Sequence, residues 1–287
     1  MKSQKAKRIT ILAVLIFFTA FTILNLLLSK YGLSVSRFEI KSHKITSPIR
    51  IVQLTDLHNS EFGQDNQMLY EKVKIQNPDL ILLTGDLINN DQDNTDIAVA
   101  LIRKLVDVTE VYVSMGNHEL DFSERTGTKI EEIYENAGAV VLDDSYIDVE
   151  VKGQVVRLGG VYGYCLPENY ISKNDSRREQ SDFLKEFQNT EKYKILMCHL
   201  PYPWWNYSFG NEWDVDLVLC GHTHGGQIIL PFLGGLYDGE TGWFPGEVSG
   251  YKNDGTDIIV SRGLGNTERI YRFNNIPEIV TVDFLTP

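Results

Sequence analysis

Cysteine is scarce in this chain: Cys165, Cys198 and Cys220 are the whole complement of 287 residues. Three scattered thiols cannot build a disulfide framework, so the fold needs a core of its own. Cys198 and Cys220 each close an apolar run and read as small buried hydrophobes, with a Cys198–Cys220 bridge left open as the alternative. Acidic residues are missing from the first 30 positions, where five of the 27 basic residues fall, and all 39 acidic residues come later. The rest of the chain is therefore strongly acidic and carries no basic run, which argues against nucleic acid as a partner. Internal repeats and low-complexity tracts are missing too, as is a twin-arginine pair that would mark export in a folded state. With 43% hydrophobic and 23% charged residues, the composition fits one main globular domain and excludes a disordered chain.

Charge is also missing between Arg8 and Lys30, a stretch close to the ~20 residues that span a bilayer as a helix. A secretory signal would have a shorter apolar region and a small-x-small cleavage site, which Leu27-Leu28-Ser29 does not offer. An uncleaved anchor is the preferred reading over a cleaved signal or a buried core helix. Lys2, Lys5, Lys7 and Arg8 precede it, so the positive-inside rule keeps the tail cytoplasmic and places the chain beyond Lys30 outside. The expected layout is a basic tail (1–8), a membrane anchor (9–29), a linker with an edge strand (30–48) and a catalytic domain (49–287).

Short apolar runs closed by polar residues or glycine recur after Pro48: Ile49–Leu54, Leu80–Leu83, Val111–Ser114, Val155–Val161, Tyr193–Cys198, Val215–Cys220, Ile258–Ser261 and Ile279–Phe284. These read as strands. Helical spacing separates the early ones, at Met68 to Ile75, Ile97 to Leu105 and Ile130 to Tyr134. The first half is thus an α/β succession, in which ligands collect at the carboxyl ends of the strands.

The polar motifs sit at those ends. Asp56-Leu57-His58 sets an oxygen and a nitrogen ligand two residues apart, although a surface turn is a commoner use of such a pair. Asp86 follows Gly85 at the next strand end and would serve equally as a helix N-cap. Gly116-Asn117-His118-Glu119 ends the third strand with an amide oxygen beside an imidazole. His199 closes a fourth, and Gly221-His222-Thr223-His224-Gly225-Gly226 supplies two imidazoles one residue apart, a strong metal signal. Five of the six histidines therefore fall at expected strand ends, leaving only His43 in the linker.

Together, and in this order, these blocks resemble the calcineurin-like metallophosphoesterases, from about Ile49 to the C-terminus. Ser261-Arg262-Gly263-Leu264-Gly265-Asn266 and Arg272 to Glu278 are similar to the bacterial membrane-anchored branch. The resemblance implies an α+β fold, a four-layer αββα sandwich behind one transmembrane helix. It implies one divalent metal ion on Asp56, His58, Asp86 and His224 and a second on Asp86, Asn117, His199 and His222, with Asp86 bridging. Glu119 stands where many members carry aspartate, so a difference in packing or orientation is expected there with no loss of activity.

Two such ions, ~3.5–4 Å apart, would clamp a phosphate and lower the pKa of a shared water. His118, oriented by Asp86, would protonate the departing oxygen. The nitrogen and oxygen ligand set without thiolate suits Mn²⁺, Fe or Zn²⁺, with manganese favoured. The expected substrate is a phosphate monoester, diester or pyrophosphate, of an envelope or lipid-linked molecule given the anchor, handled by a monomer. The alternative is a membrane-anchored binding ectodomain that kept the fold and lost the activity. A metallo-β-lactamase type of hydrolase continues its His-x-His into Asp-His, whereas here Gly225-Gly226 comes next. The aromatic stretch Pro201 to Trp213, just after His199, reads as a lid, a stacking platform or a membrane-dipping edge, or equally as a small satellite core.

Overall fold

The computed structural model describes residues 2–286 apart from 168–169, 173–174, 176, 208–211, 240, 247 and 267–270. The uncharged N-terminal stretch lies within one helix, α1 (Lys2–Tyr31), which is long and apolar enough to cross a membrane. Its apolar side chains are exposed, so it is no core helix.

Two six-stranded sheets come after it. The first runs in the order β1 (Ser34–Lys41), β15 (Glu278–Leu285), β2 (Ile49–Leu54), β3 (Leu80–Thr84), β4 (Val111–Ser114), β5 (Val140–Val141). The second is β13 (Gly250–Asn253), β14 (Asp257–Val260), β9 (Leu217–Cys220), β8 (Tyr193–Cys198), β7 (Gln154–Val161), β6 (Ser145–Val151). A small antiparallel sheet of β10 (Ile229–Leu230), β11 (Gly234–Asp238) and β12 (Gly242–Gly246) stands apart.

The strands alternate their side chains between two cores, as the period of two requires. Ile51, Leu82, Ile195, Met197 and Leu219 fill the space between the sheets. Val52, Leu54, Ile81 and Leu83 face outward, against α2 (Gln67–Ile75), α3 (Asp96–Val106) and α5 (Ile130–Asn136). Leu196, Cys198, Val218 and Cys220 meet α6 (Arg178–Phe187) and α7 (Tyr202–Trp205) on the other side. This is the four-layer αββα sandwich, with both sheets buried on two faces and hence strands that read as continuous apolar runs.

The structure adds elements that apolar runs did not mark. β6 is half exposed and alternates, so only Val149 and Val151 are buried in it. α4 (Asn117–Thr126) starts inside the Gly-Asn-His-Glu motif and is mostly polar. Val215 precedes β9 and belongs to the satellite core, and all three cysteines are buried free thiols.

Candidate metal centre

Each site residue hangs from the carboxyl end of a strand: Asp56 and His58 after β2, Asp86 after β3, Asn117 and His118 after β4, His199 after β8, His222 and His224 after β9. Five of these eight hold left-handed backbone: Asp56 (φ 51°), His58 (46°), Asp86 (55°), His222 (71°) and His224 (49°). Non-glycine residues seldom adopt that region, and a cluster of them needs surroundings that fix it. Gly85 (φ 85°) helps: a Cβ there would lie 2.6 Å from the Gly116 nitrogen and 2.9 Å from His199 Nδ1. A side chain would therefore push the loop after β3 away from Gly116 and His199.

Seven of these side chains converge, and Asn117 lines the same cavity as Asp86, His118, His222 and His224. His58 Nε2 and His224 Nε2 are 3.1 Å apart, with His224 Nε2 3.7 Å from Asp56 Oδ1. His222 Nδ1 lies 3.2 Å from His199 Nε2, which is 3.2 Å from Asp86 Oδ2. That same Asp86 oxygen is 3.7 Å from His58 Nε2 and 4.0 Å from His118 Nε2, so it stands between the two sets. Within each of three overlapping groups, Asp56-His58-His224, His58-Asp86-His118 and Asp86-His199-His222, the donor atoms lie within 4.8 Å of one another.

The chemistry of the donor set fits divalent cations. Asn117 Oδ1 is buried without a hydrogen-bond partner, a costly state that a cation would relieve. Burial pushes His58 down to about 3 and His222 to about 4, keeping both rings neutral with a lone pair for a metal. Burial also pushes Asp56 up to about 6, against the pull of His199. Asp86 is held well below the usual carboxylate range: burial opposes this, but His199, His58 and His118 overcome it. Burial likewise works against charge on His199, and Asp86 lifts that imidazole to about 10. Two buried carboxylates supported by neighbouring rings form a site that divalent cations would complete. One contact competes: Arg272 Nη2, able only to donate, lies 3.0 Å from His224 Nδ1 and favours that nitrogen as an acceptor.

Glu119 is fully buried and clamps the loops after β3 and β4 together. Its Oε2 accepts from the Asp86 and Gly116 amides (2.7 and 3.0 Å), and its Oε1 from the Leu87 amide (2.7 Å) and the Tyr134 hydroxyl (3.0 Å). Asp86 holds His118 through the backbone, accepting its amide at 2.9 Å, whereas the ring's own partner is the Asn90 amide, 3.0 Å from Nδ1. Sequence reasoning missed Asn90, as it missed Asn89, which reaches His58 Nδ1 (3.1 Å) and the His58 carbonyl (3.0 Å). Asn275 stands out in the sequence only as part of the block from Arg272 to Glu278; its Nδ2 donates to the His224 and Gln227 carbonyls. Asparagines in loops are too common for spacing alone to mark them.

The mouth of the site is a cavity of about 550 Å³ lined by Asp86, Asn117, His118, His222, Tyr237 and Trp243. The aromatic stretch after His199 is mostly core: Trp204 and Trp213 are buried beside Phe187 and Val215. Tyr202 turns to the site, its ring edge-on to His222 at 5.8 Å and its hydroxyl on Asp238. Phe209 lies outside the described residues.

Residues 49–226 match the family model described as calcineurin-like phosphoesterase. The chain is 29% identical over 220 residues to an uncharacterized metallophosphoesterase of Campylobacter jejuni, covering 70% of this chain and 54% of that protein. It is 30% identical to the metallophosphoesterase YkuE of Bacillus subtilis (80% and 77% covered). To the phosphodiesterase YaeI of Escherichia coli it is 26% identical (86% and 88% covered). The chain thus spans about half the length of the Campylobacter relative.

Proposed function

The chain belongs to the calcineurin-like phosphoesterase family, and from that premise we propose that it is a membrane-anchored, metal-dependent phosphoester hydrolase with a binuclear centre. The observation that carries this reading is the meeting of two histidine sets on the Asp86 carboxylate beside the unpartnered Asn117 oxygen. One ion would be held by Asp56, His58, Asp86 and His224 and the other by Asp86, Asn117, His199 and His222. When bound, such ions polarise the phosphoryl oxygens and activate a water for in-line attack. Nitrogen and oxygen donors without thiolate suit manganese, with iron or zinc as the alternatives.

The protein's own part in the reaction falls to His118. The Asn90 amide donates to Nδ1, so the proton of the neutral ring sits on Nε2, the nitrogen that faces the site. From there the ring can donate a hydrogen bond to the departing ester oxygen and stabilise the charge that builds on it. Asp86 fixes where the ring starts by accepting the His118 amide.

The substrate is a phosphate monoester, diester or pyrophosphate; the name of the Escherichia coli relative favours a diester. Helix α1 would hold the enzyme to a membrane with the basic tail in the cytoplasm and the site outside, near envelope and lipid-linked phosphoesters. The test is an assay of the full chain, solubilised and loaded with Mn²⁺, against all three bond classes. Turnover of at least one is expected, and His118→Ala should lower it ~10²–10⁴-fold while metal content is unchanged. Failure on every class with two ions bound would leave a binding ectodomain in place of an enzyme.

A further inference from the structure

Among the described residues outside α1, a group of four large exposed apolar side chains lies on the small sheet. Phe232 is fully exposed at the β10–β11 turn, Leu233 is 62% exposed, and Trp243 and Phe244 on β12 are 67% and 61% exposed. A soluble surface rarely gathers so many large apolar side chains without something to cover them. The hydrogen bonds of the sheet's neighbourhood indicate what that is. Asn25 Oδ1 in α1 accepts the Asn274 amide at 2.5 Å, and Asn274 Nδ2 donates to the Ile229 carbonyl, in β10, at 3.0 Å. Ser29 Oγ, one turn further along α1, accepts the Asn275 amide at 3.3 Å.

Asn25 lies inside the uncharged stretch, about 6 Å from its end at Ser29 for a rise of 1.5 Å per residue. Whatever is hydrogen-bonded to it sits at the depth of the membrane boundary. At the same level a cavity of about 470 Å³ opens between Leu26, Leu27 and Tyr31 of α1 and Leu264 and Tyr271 of the domain. Tyr271 is itself 76% exposed. Tryptophan and tyrosine rings are at home in that boundary layer, where one end is apolar and the other wet.

Resting on the reading of α1 as a membrane span, we infer that the β10–β12 sheet is a second membrane contact, with Phe232, Leu233 and Phe244 entering the interface of the bilayer that α1 crosses. Trp243 belongs to the same sheet and lines the mouth of the metal site, so the contact turns that mouth toward the lipid surface. A phosphoester carried at that surface then reaches the site without leaving the membrane.

Nitroxide labels on the full chain, one copy per nanodisc of phosphatidylcholine and phosphatidylglycerol, test this. The native cysteines are buried, so labels attach to introduced ones. Phe17→Cys reports α1, Phe232→Cys the sheet, and Val155→Cys the opposite end of the second sheet, where Val155 is 42% exposed. Phe17 and Phe232 labels should be relaxed more by oxygen than by a water-soluble nickel complex, and the Val155 label the reverse. A Phe17 label in lipid with a Phe232 label in water would overturn the inference and leave the anchor standing. A Phe232 label shielded from both reagents would overturn it in favour of a protein partner. A Phe17 label in water would remove the anchor itself and this inference with it.

Discussion

Replacing Glu119 by alanine would strand the amides of Asp86, Leu87 and Gly116 in buried surroundings. Each such loss costs about 1–3 kcal/mol, so a fall of roughly 3 kcal/mol or more is expected in denaturant unfolding, with weaker metal binding by titration. Glu119→Gln should fall between, because an amide has one acceptor where the carboxylate uses two. Asp144 is a different case: its Oδ1 is inaccessible and has no hydrogen-bond partner, and its φ is 41°. Burial first, and then the charge of Asp143, raise its carboxyl to about 7. A folded value above the unfolded one means that stability is fullest below about pH 4 and is lost as pH rises through 7. Asp144→Asn should therefore raise the melting temperature at pH 8 by on the order of 2 °C and have little effect at pH 4. Asparagine also tolerates the left-handed backbone. Neither residue was legible beforehand: Glu119 stood out only by differing from its family, and Asp144 lies in no motif.

At the scale of elements, α7 shows what local sequence leaves open. Tyr202-Pro203-Trp204-Trp205 has no periodicity, and a lid and a satellite core would look alike. Packing against the outer face of the second sheet decides it, since Trp204 is 1% exposed in the cluster of Phe187 and Cys198. Trp204→Ala should cost about 3–5 kcal/mol in unfolding experiments. Tyr207→Ala, at an exposed ring, should leave stability unchanged. The strands bearing the candidate ligands were legible because sheets buried on both faces leave apolar runs. β6, α4 and the β10–β12 sheet were not, because half-exposed strands and polar helices carry weak patterns.

For the whole molecule, the loops of the two sheets that carry the candidate ligands meet at one cluster, so bound cations should tie the layers together. Chelation of a metal-loaded sample should abolish turnover and lower the melting temperature. An ion at 100 times its Kd contributes ~2.7 kcal/mol, which in a domain of this size is a fall of roughly 5–10 °C. An unchanged melting curve after verified removal of metal would count against a centre that bridges the sheets. Restored Mn²⁺ should recover both readings.

By itself the sequence determined the apolar N-terminal helix, the alternation of strands and helices in the first half, and the residue types at the strand ends. Those are local properties, written in periodicity and in what closes each run. Only the tertiary structure decided that His58 and His224, 166 residues apart, stand 3.1 Å from each other. It also decided that one Asp86 oxygen lies between the two histidine sets and that Asn274 bonds both to α1 and to the small sheet. Those depend on which strands become neighbours and how two sheets face one another, and no spacing along the chain encodes that.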